Sequence, residues 1–293
     1  MLLLLTTACI FDSDNPLFSD LDGDGVSVYQ GDCVDNKGGL QGPVVLNDAD
    51  YDSLTEAVQA AIPGDTLIVC PGEYDAVTVN SMTLEGRPEG GDVILHGRGD
   101  GAAITVLGDS TLIGLTLTGG IGTNYQGARW GGGVDAAMAS SLTMTDCVVE
   151  GNSADNAAGI AGPQELGSVT VLEDVRVRQN HALTYGGGVM LYDSVTLIDT
   201  VVRDNVADSQ GGGVVLVETE ALISGGSIEG NSAGSAGGGV LLAVGRATFD
   251  GVEFDLNTPE DLVLQDNRGT NTTAAVPGSS FSCDATSSTP GCQ

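Results

Sequence analysis

Gly186-Gly187-Gly188-Val189-Met190-Leu191, Gly211-Gly212-Gly213-Val214-Val215-Leu216 and Gly237-Gly238-Gly239-Val240-Leu241-Leu242 are three copies of one short sentence. Gly131-Gly132-Gly133-Val134 is an earlier copy, and Ala158-Gly159-Ile160 is a degenerate one between them. An asparagine follows the last glycine of each copy by 17 to 21 residues: Asn152, Asn180, Asn205, Asn231 and Asn257. These asparagines stand 28, 25, 26 and 26 residues apart. A fixed period in this range marks a stacked repeat, whose units bury their apolar faces only against one another.

Aligning the copies on the asparagine exposes three apolar columns. Eight residues before it stand Met144, Leu172, Leu197, Ile223 and Phe249, and three before it Val149, Val177, Val202, Ile228 and Phe254. A looser column five before it holds Cys147, Val175, Thr200, Gly226 and Val252. Such offsets fit two short strands with alternating side chains and a turn between them. A third strand opens in each glycine block, with Val134, Ile160, Val189, Val214 and Val240 inward, and Leu191, Leu216 and Leu242 two residues on. The prediction is an all-β chain, a parallel β-helix with three strands per coil of about 26 residues. Helical repeats need long amphipathic runs, and these glycines and β-branched residues leave no room for them. Each asparagine is expected to sit in or near the left-handed region and to bond its amide to the asparagine of the next coil.

The GGGV blocks, the turns Gly151-Asn152-Ser153 and Gly230-Asn231-Ser232 and the apolar columns resemble the right-handed parallel β-helix repeat family of bacterial secreted and surface proteins, and pectate-lyase-like folds more broadly. The resemblance runs from Thr66 to about Leu264 and implies a fold more than an activity, because this architecture hosts unrelated functions.

The chain has 293 residues, with 40 acidic against 9 basic ones and a net charge of −31. That field repels nucleic acid and anionic membrane surfaces, and suits cations or a saline medium. Residues 1–8 read as the remnant of a signal peptide and are too short to span a bilayer. The small residues before Cys9 resemble a bacterial lipobox, which implies lipidation of Cys9 and an outer-membrane or cell-surface lipoprotein, with ordinary secretion as the alternative. Residues 9–19 then form a tether.

Asp20, Asp22 and Asp24, followed by Gly25 and Val26, have the spacing of a calcium loop, since alternate carboxylates converge while glycine permits the sharp turn. Position 12 is Gly31, so Asp32 becomes the expected closing ligand. The pattern is similar to thrombospondin type 3 repeats, and it makes residues 20–36 a calcium-binding loop; the plain alternative is a solvated acidic linker. Residues 37–268 are assigned to the β-helix and 269–293 to an irregular tail. Ser53-Leu54-Thr55-Glu56 is a capping box opening a helix over about 53–62, with Leu54, Ala57, Val58, Ala61 and Ile62 on one face. This helix is the expected cover for the first coil, whose open edge would otherwise meet water.

Cys147 falls in an inward column and reads as a small buried apolar residue. Cys33, Cys70, Cys283 and Cys292 remain, and four cysteines allow three pairings. Cys33–Cys70 would tie the calcium loop to the first coil, and Cys283–Cys292 would close a small loop.

Stacking places equivalent residues about 4.8 Å apart on successive coils. Glu150, Arg178, Arg203, Glu229 and Asp255 therefore form an outward row in which both arginines are expected to be paired. Asp146, Asp174 and Asp199 line a turn beside it. Trp130 and Tyr185 share a column two coils apart, about 9–10 Å, which suits stacking on two sugar rings. Trp130, Tyr185, Tyr192, Arg178 and Arg203 are the candidate glycan contacts, although the aromatic residues could equally cover glycine turns and the charges form ion pairs. No catalytic residue is assigned. The reading is a non-catalytic, monomeric surface β-helix lipoprotein that uses calcium and serves display, adhesion or contact with glycans or other surface proteins. The alternative is a calcium-dependent polysaccharide lyase or a glycoside hydrolase acting on an acidic polysaccharide.

Overall fold

The computed structural model describes residues 44–46, 49–87, 91–99, 101–265 and 273–275. They form a parallel β-solenoid of about 7 turns with about 26 residues per turn. Face one begins with Val77–Asn80 and Ile104–Leu107, continues through Val134–Asp135 and Ile160–Ala161, and ends at Leu262–Gln265. Face two stacks Thr66–Val69, Thr83–Gly86, Asp109–Ile113, Ser141–Thr145 and Val169–Glu173. The long strands Val189–Ile198, Val214–Ser224 and Val240–Asp250 run round the corner between them, so the two faces join in one 16-stranded sheet. Each long strand turns at a non-glycine residue of positive φ: Asp193, Glu218 and Val244. Face three is an eight-stranded sheet from Gly72–Asp75 to Glu253–Asp255.

Beyond the three expected strands, each middle coil carries a short fourth one just after its asparagine. Ser153–Asn156, His181–Tyr185, Val206–Ala207 and Ser232–Ala233 pair with each other and with a hairpin, Thr123–Tyr125 and Ala128–Trp130. Its inner side has its own small core of Ala154, Ala158, Ala182 and Ala207. The apolar run Leu112–Leu117 is divided between two faces, because Gly114 turns the chain at φ +64°.

The inward columns are buried as their spacing requires. Val134, Ile160, Val189, Val214 and Val240 are fully covered, as are Leu191, Leu216 and Leu242. Glycine recurs because successive coils touch through bare backbone. A Cβ on Gly188 would meet the Gly213 carbonyl oxygen at 2.5 Å, and one on Gly213 would meet the Gly239 oxygen at 2.6 Å.

The asparagines form an uninterrupted ladder inside this stack. Asn205 Nδ2 donates to the Asn231 Oδ1 at 3.0 Å and to the Val177 carbonyl at 2.9 Å. Asn205 Oδ1 in turn accepts from the Asn180 Nδ2 and backbone N–H. At one end Asn152 Oδ1 accepts from the Gly120 N–H, and at the other Asn257 Nδ2 donates to Asp261 Oδ1 at 2.8 Å. The expected left-handed asparagine is corrected: positive φ falls one residue earlier, at Gly151, Gln179, Asp204, Gly230 and Leu256. The asparagine itself lies outside the left-handed region, and its amide bonds along the stack. Asp146, Asp174 and Asp199 also have positive φ, so that acidic column makes a turn.

The helix spans Leu54–Ala60, with the Ser53 hydroxyl accepting from the Glu56 N–H at 3.2 Å. Leu54 and Ala57 are buried, Val58 and Ala61 pack against the core, and Ile62, beyond the last turn, is 65% exposed. The helix shares its capping role with a feature that sequence spacing did not show. Val44–Leu46 pairs antiparallel with both Ala49–Tyr51 and Thr66–Val69, covering the edge of the first coil on face two.

Candidate functional site

The first glycine of a block has a left-handed φ, +61° at Gly131, +69° at Gly186 and +65° at Gly237. The chain folds back so sharply there that side chains four residues on stand over the turn. An added Cβ would lie 2.9 Å from the Asp135 Cβ at Gly131, 3.1 Å from the Met190 Cβ at Gly186 and 3.0 Å from the Leu241 Cβ at Gly237. Those partners follow the inward valines, so they belong to the outward side of face one. The chain therefore folds back along a crease in the stacking direction, between the fourth strands and face one, and the outward row of face one is packed into it. Val215 and Leu241 are each 2% exposed although they point away from the core.

At Asp135 the crease is closed by the hairpin. Asp135 is 1% exposed, accepts from the Tyr125 hydroxyl at 2.8 Å and from the Ala137 N–H at 3.2 Å, and is also bonded by the Thr123 hydroxyl. Burial holds its carboxyl above the ordinary range, while these three bonds pull it down. Burial, and secondarily the Asp135 carboxylate, push the Tyr125 phenol up. The Arg129 N–H donates to Asp155 Oδ2 at 2.7 Å, fixing the hairpin to the next coil. Asp135 was not singled out from the sequence. Its signal is an acid in a column that otherwise reads Ala161, Met190, Val215 and Leu241.

The candidate glycan residues divide among three sheets. Trp130 and Tyr185 do share a column, with Asn156 paired between them and Gln210 beyond. Tyr192 lies on face one beside Val217 and is half-buried; burial pushes its phenol up to about 12. Arg178 and Arg203 are neighbours in register on face three. Arg178 Nε donates to Glu150 Oε2 at 2.5 Å. Arg203 departs from expectation: it stands in register with Glu229 yet makes no ion pair among the described residues. Face three and the aromatic column thus do not form one site.

Cys147 is fully buried, its thiol bonded to the Thr145 and Leu112 carbonyls and pushed up to about 12 by burial. His181 pairs with Asp208 at 2.8 Å, and His96 lies 3.5 Å from Glu73. Among the described residues no group of three His, Cys, Asp or Glu side chains is placed to hold a metal ion. The calcium set Asp20, Asp22, Asp24, Val26 and Asp32, the lipid candidate Cys9, and Cys33, Cys283 and Cys292 lie outside the described residues. No family model, curated protein or solved structure matches the chain.

Proposed function

We propose that this protein is a non-catalytic scaffold at the cell surface. It is exported, anchored through a lipid on Cys9, and presents a rigid β-helix for adhesion or display. The observation that carries the reading is how the groups best suited to chemistry are used. Arg178 is tied to Glu150, His181 to Asp208, and Asp135 is sealed under its own hairpin, while Arg203 has no ion pair among the described residues and is the group the activity test must address. A lyase needs a base able to give up its proton, and a guanidinium held by a carboxylate keeps its charge. The continuous asparagine ladder supports the same reading, since it stiffens the stack without leaving amides free. At the base, Asp20, Asp22, Asp24, Val26 and Asp32 would hold calcium through hard oxygen ligands, and Cys33 would pair with Cys70, which is not a free thiol. The bacterial β-helix family of secreted and surface proteins is the affiliation consistent with the solenoid.

The test is fractionation of cells expressing the full chain. Wild type should partition with membranes and Cys9→Ala should be released. In parallel, purified protein with Ca²⁺ and uronate polysaccharides should yield no unsaturated product by ultraviolet absorbance. Product that disappears in Arg203→Ala would replace the scaffold by a lyase. Added Ca²⁺ should also raise the melting temperature by mass action, and the double change Asp22→Ala, Asp24→Ala should abolish the rise.

A further inference from the structure

We infer that the last four strands of face three are a homotypic adhesion surface, onto which a second copy of this chain, anchored on an opposing cell, docks antiparallel. The inference rests on the surface-scaffold reading and names the partner of that scaffold.

Face three ends in the strands Arg176–Arg178, Val201–Arg203, Ser227–Glu229 and Glu253–Asp255. Their middle residues Val177, Val202, Ile228 and Phe254 are buried in the core, so the flanking residues form two outward rows. One row reads Arg176, Val201, Ser227, Glu253, and the other Arg178, Arg203, Glu229, Asp255. In a chain with 40 acidic and 9 basic residues, this patch sets three arginines against three carboxylates. The signs are also segregated, arginines on the first two strands and acids on the last two. Segregation leaves them largely unmatched within the chain. Among the described residues Arg176, Arg203, Glu229, Glu253 and Asp255 take part in no ion pair. Arg178 is held by Glu150 through one nitrogen, and its guanidinium has further N–H groups to offer.

A two-fold axis parallel to the strands, midway between the Arg203 and Glu229 coils, lays the patch face to face on its own copy. Arg176 then meets Glu253 of the second copy, Arg178 its Asp255 and Arg203 its Glu229, with Val201 over its Ser227, and each contact occurs twice. A two-fold along the stack would instead set Arg176 against Arg178 of the second copy. An axis between the Arg178 and Arg203 coils would set those two arginines against each other. Facing opposite charges select a partner and register, and facing like charges reject one. Four strands of three residues fall well short of the roughly 800 Å² per partner of a standard interface, so a single contact is weak. It becomes effective where many anchored copies face one another. The antiparallel axis supplies that setting. The patch lies at the C-terminal end of the stack, so the two N-terminal ends point away from the contact in opposite directions, each toward its own surface.

The full chain is coupled through an N-terminal biotin to beads of two colours, and clustering is followed by microscopy. Wild-type beads should cluster at low salt, disperse at high salt as the charges are screened, and be inhibited by excess soluble protein. Arg176→Glu and Glu253→Arg each place like charges across the axis, and beads carrying either variant alone should stay dispersed. Mixed, they restore both pairs and should cluster with colours alternating. These two residues are three coils, about 14 Å, apart in one chain, so the restoration cannot arise within a copy. Melting curves check that both variants are folded. The inference is overturned if wild-type beads stay dispersed, if either folded variant clusters alone, or if the mixture does not cluster. Wild-type beads that ignore each other but bind dextran sulfate beads would give the arginines to an anionic glycan and overturn it too. None of these outcomes bears on membrane anchoring through Cys9, which the fractionation decides separately.

Discussion

The asparagine column and the Asp135 carboxylate are both polar groups taken out of water, and they are used in opposite ways. The column repeats one arrangement over five coils: the first four amides each donate to the next asparagine, the last donates to Asp261, and all five donate to a carbonyl of the coil before. Asp135 occurs once, where a hairpin leaves the repeat and lies over an outward residue. The ladder carries no charge and satisfies itself by repetition. Asp135 needs a special segment to supply its donors, and that segment also brings Trp130 to the head of the aromatic column. Repetition here builds the rod, and the single departure from it shapes the surface.

The sharpest test of this contrast is Asn205→Ala. It removes the acceptor used by two Asn180 N–H groups and leaves the Val177 carbonyl without its amide donor. Buried groups stranded in this way cost about 1–3 kcal/mol, and several share the loss, so the upper end of that range is expected in a urea melt. A loss within measurement error would make the ladder incidental.

A smaller effect with a distinct pH signature is expected at Asp135. Burial raises its folded pKa above the ordinary 3.8. The folded chain therefore holds this proton more tightly than the unfolded one, and the stability it contributes is present at low pH and lost as pH rises through the folded value. Asp135→Asn keeps an acceptor for Tyr125 and removes the charge. Its melting temperature should fall less than that of wild type between pH 4 and pH 8. Parallel curves would mean that Asp135 is no less ionised than a surface acid.

The smallest expected effect reverses sign. Leu256 occupies the turn position held by Gly151 and Gly230 in other coils, at φ +56° and 78% exposed. Left-handed backbone costs a side-chain-bearing residue about 1–2 kcal/mol, and glycine's greater unfolded freedom returns about 0.5–1 kcal/mol of that. Leu256→Gly should stabilise the chain by about 0.5 kcal/mol. A destabilised variant would show that Leu256 is held by packing.

The period of the glycine blocks and asparagines determined the solenoid, its coil length, the inward columns and the ladder. Each of these repeats with the coil, so one alignment of the chain on itself reveals it. Trp130 and Tyr185 were legible as a column for the same reason. The fourth strand was not, because its residues alternate about a core of alanines too small to register as an apolar run. Nor was the left-handed turn placed correctly, since Gly151, Gln179, Asp204 and Leu256 share a conformation and no side-chain chemistry. The crease and the Asp135 hairpin were decided only by tertiary structure. Whether an outward residue is covered depends on where the chain folds back, and sequence alternation distinguishes in from out without saying what lies outside. The same limit explains Arg178 and Arg203, adjacent and alike in the sequence pattern, of which only the first meets its carboxylate.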